Sequence, residues 1–235
     1  MRTFLSLLLT MQMLEGFASP VKSTIAFRET IAVEDKDSLP YGAVAVEYLA
    51  GDGASWIDTG IVPDNSIEIE VTAQGSDSSS PYLIGFGPNA DNPYQWVIII
   101  RYANPYGQCV FVRGIYDYKY RVPIRSMTTI RLTKTNIIVN GVPSDYPGAD
   151  VSPRAGCRVY VFAGGGTTKA FGICNSGIHI RDAKVFKGGE CVWDGRAVKF
   201  KNENGLWEGA MLDMVSGELF RNAGSGTFTI GPDVR

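Results

Sequence analysis

Between Val44 and the C-terminus, no stretch carries apolar residues at helical spacing over three turns. Short β-rich runs recur there instead, each closed by Gly, Pro, Asn, Asp or Ser. A chain of this kind cannot bury itself as a helix bundle and has to pack sheet on sheet. Ile67-Glu68-Ile69-Glu70-Val71 shows the pattern most clearly, with the apolar residues toward a core and Glu68 and Glu70 toward water or a site. Strands are expected at Ala45–Ala50, Trp56–Thr59, Ile67–Ala73, Tyr82–Phe86, Trp96–Tyr102, Cys109–Arg113, Tyr116–Val122, Thr128–Thr133 and Ile137–Val142, with several more to follow. Thr135-Asn136 marks a tight hairpin, and Lys187-Gly188-Gly189-Glu190 joins Ile178–Phe186 to Cys191–Ala197 in another. The expected fold is all-β, an antiparallel β-sandwich.

Of the 235 residues 45% are apolar, enough to fill a full core. The 27 glycines and 12 prolines are scattered without period, which fits many turns and excludes a collagen repeat. The formal charge is only −2, from 22 basic and 24 acidic residues with no basic arm, so nucleic acid is not expected as a partner. The single histidine, His179, rules out multi-histidine metal sites and leaves one imidazole base. No Gly-x-Ser-x-Gly elbow precedes a helix. Gly164-Gly165-Gly166-Thr167-Thr168-Lys169 lacks the spacing of a phosphate loop and reads as a hairpin loop.

At the N-terminus Arg2 precedes a short apolar run from Phe4 to Leu14, then Gly16 and Ala18, a pattern that resembles a secretory signal. Residues 1–18 are therefore expected to direct export, to a secreted or cell-surface location, and no other segment could cross a membrane. Residues 19–40 read as a linker or N-terminal extension and 41–235 as the sandwich domain. Export permits disulfides. Cys109, Cys157, Cys174 and Cys191 contain no CxxC pair, which leaves a zinc knuckle or a thioredoxin-like site unsupported. Cys157 and Cys174 flank two expected strands, Arg158–Phe162 and Ala170–Ile173. A hairpin through Gly164–Gly166 would bring the pair into disulfide reach and stabilise the fold by about 3 kcal/mol. The alternative is four buried thiols acting as small hydrophobes.

The run Tyr48-Leu49-Ala50-Gly51-Asp52-Gly53-Ala54-Ser55-Trp56-Ile57-Asp58-Thr59-Gly60-Ile61 resembles the opening motif of concanavalin A-like, laminin G-like jelly-roll modules of bacterial surface and phage-associated proteins. The run Gly209 to Phe228, followed by Gly231-Pro232-Asp233, is similar to the closing motif of the same family, and Ile137–Val142 to its Val-Asn-Gly strand. The resemblance extends from Ala45 to Asp233. It implies a jelly roll and a non-catalytic, lectin-like module that binds a glycan or a surface partner. The alternative is a structural component of a phage or cell-surface assembly, and glycoside hydrolases also occur on this fold. Both end motifs have a reading without ligand as well. Asp58, Thr59 and Gly60 can close a turn, Gly217, Gly224 and Gly226 supply unusual backbone conformations, and the two motifs together can seal the sheet.

Glu68 and Glu70 are the nearest candidates for a glycosidase pair, but the glucanase-type E-x-D-x-x-E run is absent and a solvent-facing edge strand explains them equally. The aromatic residues are more suggestive. Tyr116, Tyr118 and Tyr120 alternate with Asp117, Lys119 and Arg121, and Tyr94, Trp96, Tyr102 and Tyr106 border turn-rich segments. Trp96, Tyr102, Tyr106, Tyr116, Tyr118 and Tyr120 are thus the expected ligand-binding residues, by stacking on sugar rings. The other reading is a stripe facing the core. No cofactor is expected. Calcium is the ion left open, through Asp91 and Asn92, although no loop has calcium spacing.

Overall fold

Residue alternation of the kind seen at Ile67–Val71 recurs in the computed structural model as long antiparallel ladders. The structure describes residues 39–75, 82–87, 95–101, 108–114, 116–122, 125–145, 153, 156–165, 170–171, 173–174 and 177–234. Among them the order begins with a 3-10 turn (Pro40–Gly42), β1 (Val44–Ala45), β2 (Leu49–Ala50), β3 (Ile57–Asp58), β4 (Ile67–Gly75), β5 (Tyr82–Phe86) and β6 (Gln95–Arg101). It continues with β7 (Gln108–Gly114), β8 (Tyr116–Arg121), β9 (Thr128–Leu132), β10 (Asn136–Val139), β11 (Val142–Asp145), β12 (Tyr160–Val161) and β13 (Gly164–Gly165). Last come β14 (Ala170–Phe171), β15 (Ile178–Lys187), β16 (Glu190–Lys201), β17 (Trp207–Asp213), β18 (Leu219–Arg221) and β19 (Thr229–Ile230). No helix among the described residues is long and apolar enough to cross a membrane.

The strands form two sheets. One has the order β11-β10-β9-β4-β15-β16-β17-β18, with β1, β2 and β19 joined to it. The other runs β14-β13-β5-β6-β7-β8, with β12 and β3 attached. Both sheets send residues into one core: Ile69, Val71, Ile130, Val185 and Met211 from the first, Ile57, Leu83, Phe86 and Ile98 from the second. The molecule is an antiparallel β-sandwich, as its alternation requires.

The opposite face of the first sheet carries a ladder of charges. Glu68 accepts hydrogen bonds from Arg131, and Lys184 Nζ lies 3.0 Å from Asp194. Glu70 stands opposite both Arg131 and Lys184, and burial raises its carboxyl above the usual range despite those two cations. Strand β4 lies between β9 and β15, so Glu68 and Glu70 sit inside the sheet and not on an edge strand. A second, smaller apolar group shares that face, where Val198, Phe200, Ala210 and Leu212 pack under Leu39 and Ala43.

Three local expectations need correction. The expected strand Ile137–Val142 is a hairpin, because Asn140 (φ 48°) and Gly141 (φ 82°) both adopt positive φ and reverse the chain between β10 and β11. The expected loop at Gly164-Gly165 is strand β13, and it is this strand that pairs with β14, whereas β12 pairs with β3 and β5. Gly165 is required there because a Cβ would collide with the Arg158 carbonyl oxygen. The hairpin assumed for a Cys157–Cys174 disulfide is therefore not formed. Each cysteine is a buried thiol turned to its own carbonyl, Cys157 Sγ to Gly87 at 3.4 Å and Cys174 Sγ to Tyr82 at 3.1 Å. Burial pushes the Cys174 thiol far above its ordinary range.

Candidate functional site

The expected aromatic residues fall in the second sheet or outside the described residues. Tyr94, Tyr102 and Tyr106 lie outside them, as do Asp91 and Asn92, the residues weighed for calcium. Trp96 is in β6, opposite Phe86 and Arg113. Tyr116, Tyr118 and Tyr120 are in the edge strand β8, opposite Arg113, Phe111 and Cys109. The row through Tyr118 continues across Phe111 to Ile98 and Ile84, both core residues.

His179 of β15 stacks on Tyr48, with ring centroids 3.8 Å apart and planes 1° from parallel. Burial lowers its pKa, and stacking on a phenol ring engages it in packing. Among the described residues no group of three His, Cys, Asp or Glu is placed to hold a metal ion.

A different aromatic residue borders a cavity. Strand β16 ends at Lys201 and is turned back by Asn202, whose Oδ1 accepts hydrogen bonds from the backbone N–H groups of Asn204 (2.9 Å) and Leu206 (3.0 Å). Gly205, at φ 74°, completes the turn. This hairpin sets Trp207 opposite Lys201 and Gly209 opposite Lys199. Trp207 is 45% exposed, with the Lys199 and Lys201 ammonium groups 4.7 and 5.3 Å from its ring centroid.

Strand β18 pairs with β17 only at Ala210–Leu212. Beyond Arg221 the chain is drawn away from β17 by Asn222. The Asn222 Oδ1 accepts from the N–H groups of Trp56 (3.1 Å) and Gly224 (2.9 Å), and its Nδ2 donates to the Gly226 carbonyl at 2.6 Å. The divergence opens a slot of about 290 Å³ between Trp207–Gly209 on one side and Arg221, Thr227 and Phe228 on the other. Gly209 keeps the slot tight at its base, since a Cβ there would lie 2.8 Å from Leu49 and 3.0 Å from Phe228.

The wall opposite Trp207 is held by the two end motifs acting on each other. Asp52 Oδ2 accepts from the Thr227 N–H at 2.7 Å, and Oδ1 from the Ala54 N–H at 2.9 Å. A side chain at Gly226 would collide with the Asp52 carboxylate. Gly226 N–H reaches the Ala54 carbonyl and Ala223 N–H the Trp56 carbonyl. The motifs that close the sheet thus also shape one side of the cavity. No known protein-family pattern matches the chain, and no curated protein matches it in sequence. The site therefore rests on its own chemistry: an exposed indole, Arg221 and Glu208 in the lining, and a firm polar wall.

Glu208 is the slot's lining carboxylate among the described residues, and its Oε1 accepts from Asn202 Nδ2 at 2.6 Å. Glycoside cleavage by the usual route needs two opposed carboxyl groups. What the arrangement can do is hold a small polar ring against an indole. Sequence reasoning missed Trp207, Lys199, Lys201 and Arg221. The available signal was Asn202-Glu203-Asn204-Gly205, a turn that pairs Lys201 with Trp207 once β16 is extended past Ala197.

Proposed function

We propose that this chain is an exported, non-catalytic, lectin-like jelly-roll module that holds a glycan, with the slot beside Trp207 as its binding site. The observation that carries the reading is Trp207, a large indole left 45% exposed at the mouth of a cavity. Sugar rings present flat C–H faces that suit such a surface, while Thr227 and Arg221 supply hydrogen-bonding groups alongside. The engagement of Glu68 with Arg131 and of Glu208 with Asn202 supports a binding role over hydrolysis.

A glycan array followed by calorimetry on the best saccharide tests this reading. Trp207→Ala is expected to weaken binding roughly tenfold or more while the melting temperature changes little, because the ring is exposed. Unchanged affinity in the folded variant would overturn the assignment of the slot.

A further inference from the structure

Where β18 leaves β17, backbone is exposed as well as the indole. Bonds at the two ends of the β16–β17 ladder fix its phase: Asn202 N–H donates to the Leu206 carbonyl at 2.9 Å, and Met214 N–H to the Asp194 carbonyl at 2.8 Å. Successive residues of a strand address opposite neighbours, so Glu208, Ala210 and Leu212 turn their N–H and C=O groups to β16, while Trp207, Gly209, Met211 and Asp213 turn theirs to the β18 side. Asp213 is answered there by the Glu218 carbonyl at 2.9 Å, and Met211 stands opposite Phe220. The same register would set Gly224 opposite Trp207, but the ladder stops at Arg221 and the Gly224 N–H goes to Asn222 Oδ1. Among the described residues the Trp207 N–H and C=O therefore have no hydrogen-bond partner, and they face the slot. The far edge of the same sheet is treated differently. There Asn140 N–H donates to the Thr129 carbonyl, which directs Val139 to β11 and leaves Pro143, a residue without an N–H, on the outward side.

Resting on the reading that the slot takes a sugar ring, we infer that its ligand is a saccharide carrying N-acetyl groups. The ring lies against Trp207, the acetamido carbonyl accepts from the Trp207 N–H, and the hydroxyl on the adjoining ring carbon donates to the Trp207 carbonyl. A strand edge pairs naturally with amides, and here one residue presents the donor, the acceptor and the indole together. Phe228 in the lining offers an apolar surface to the acetyl methyl group. An added peptide strand fits less well, since the open edge ends at the Asn202–Gly205 turn and the Gly226–Phe228 segment stands across from it.

The test uses the full chain and calorimetry with matched probes: N-acetylated chitotetraose against cellotetraose and against the de-N-acetylated glucosamine tetramer, and N-acetylgalactosamine against galactose. The expected result is binding to at least one N-acetylated probe about tenfold tighter than to each of its counterparts. With that probe bound, the Trp207 amide is expected to gain protection from hydrogen exchange, and the Glu208 amide, already held by β16, to stay as it was. Replacing Trp207 by its α-hydroxy acid analogue deletes the N–H and keeps the indole. That change is expected to remove most of the N-acetyl preference while binding to the hydroxyl counterpart persists. Equal binding within each set, lost in Trp207→Ala, overturns the N-acetyl preference and leaves the glycan reading standing. A preference untouched by the α-hydroxy acid analogue, or a Trp207 amide that gains no protection, also overturns it. Binding to neither N-acetylated probe overturns it too. Saccharide binding that survives Trp207→Ala breaks the underlying assignment of the slot itself.

Discussion

Asp213 is 2% exposed, yet its carboxylate accepts four hydrogen bonds, from the N–H groups of Asp194, Val215 and Ser216 and from the Ser216 hydroxyl. Removing it strands several buried donors at once. Asp213→Ala is expected to destabilise the fold by about 3 kcal/mol in urea titration, since hydrogen bonds to a charged acceptor are among the stronger ones. Asp52 acts differently, because it is exposed and joins the two end motifs. What burial it has raises its pKa, but hydrogen bonds from Thr227 and Ala54 outweigh that and leave it below 3.8. A depressed folded-state pKa means a contribution complete above the unfolded value and lost as pH falls through the folded one. The protection of the Thr227 amide against hydrogen exchange, taken relative to its intrinsic rate, is therefore expected to fall as pH drops below about 3.8, and Asp52→Asn to abolish that dependence. The sequence marked both carboxylates as parts of motifs. Their partners lie on distant segments, Asp194 for one and Thr227 for the other, and no local pattern reveals such pairing.

Turn chemistry decided which elements could be read in advance. Gly188 (φ 57°) and Gly189 (φ 85°) form the expected reversal between β15 and β16. Asn140-Gly141 is as strong a hairpin signal, but it was masked by apolar residues on both sides that read as one continuous strand. Gly141→Ala is expected to cost about 1 to 2 kcal/mol from backbone strain alone, because no atom stands within 4 Å of the added carbon. The glycines of β13 were misread for the opposite reason: there the missing side chain admits a neighbouring backbone and frees no turn. The tyrosine row of β8 was legible as a row, but its role depends on which side of the sheet faces the core.

At the scale of the whole molecule, the two-sheet architecture follows from residue alternation and was legible. The slot was not, because it arises where β18 leaves β17, and departure from a ladder is fixed by the long-range contacts of Asn222. Those contacts belong to a wider closure in which the two ends of the sandwich lie side by side. Val46 bridges Asp233, Glu47 N–H reaches Pro232, and Val234 N–H reaches Ala45. Because these segments run antiparallel, Val44 and Val234 emerge at the same end of the pair. Tension applied between them loads the hydrogen bonds one after another, as a zip opens, and does not share the load among them. Pulled by its two ends in a single-molecule experiment, the sandwich is expected to yield at lower force than when pulled between Val44 and the β15–β16 turn at Gly188, where the load is spread across several strands at once.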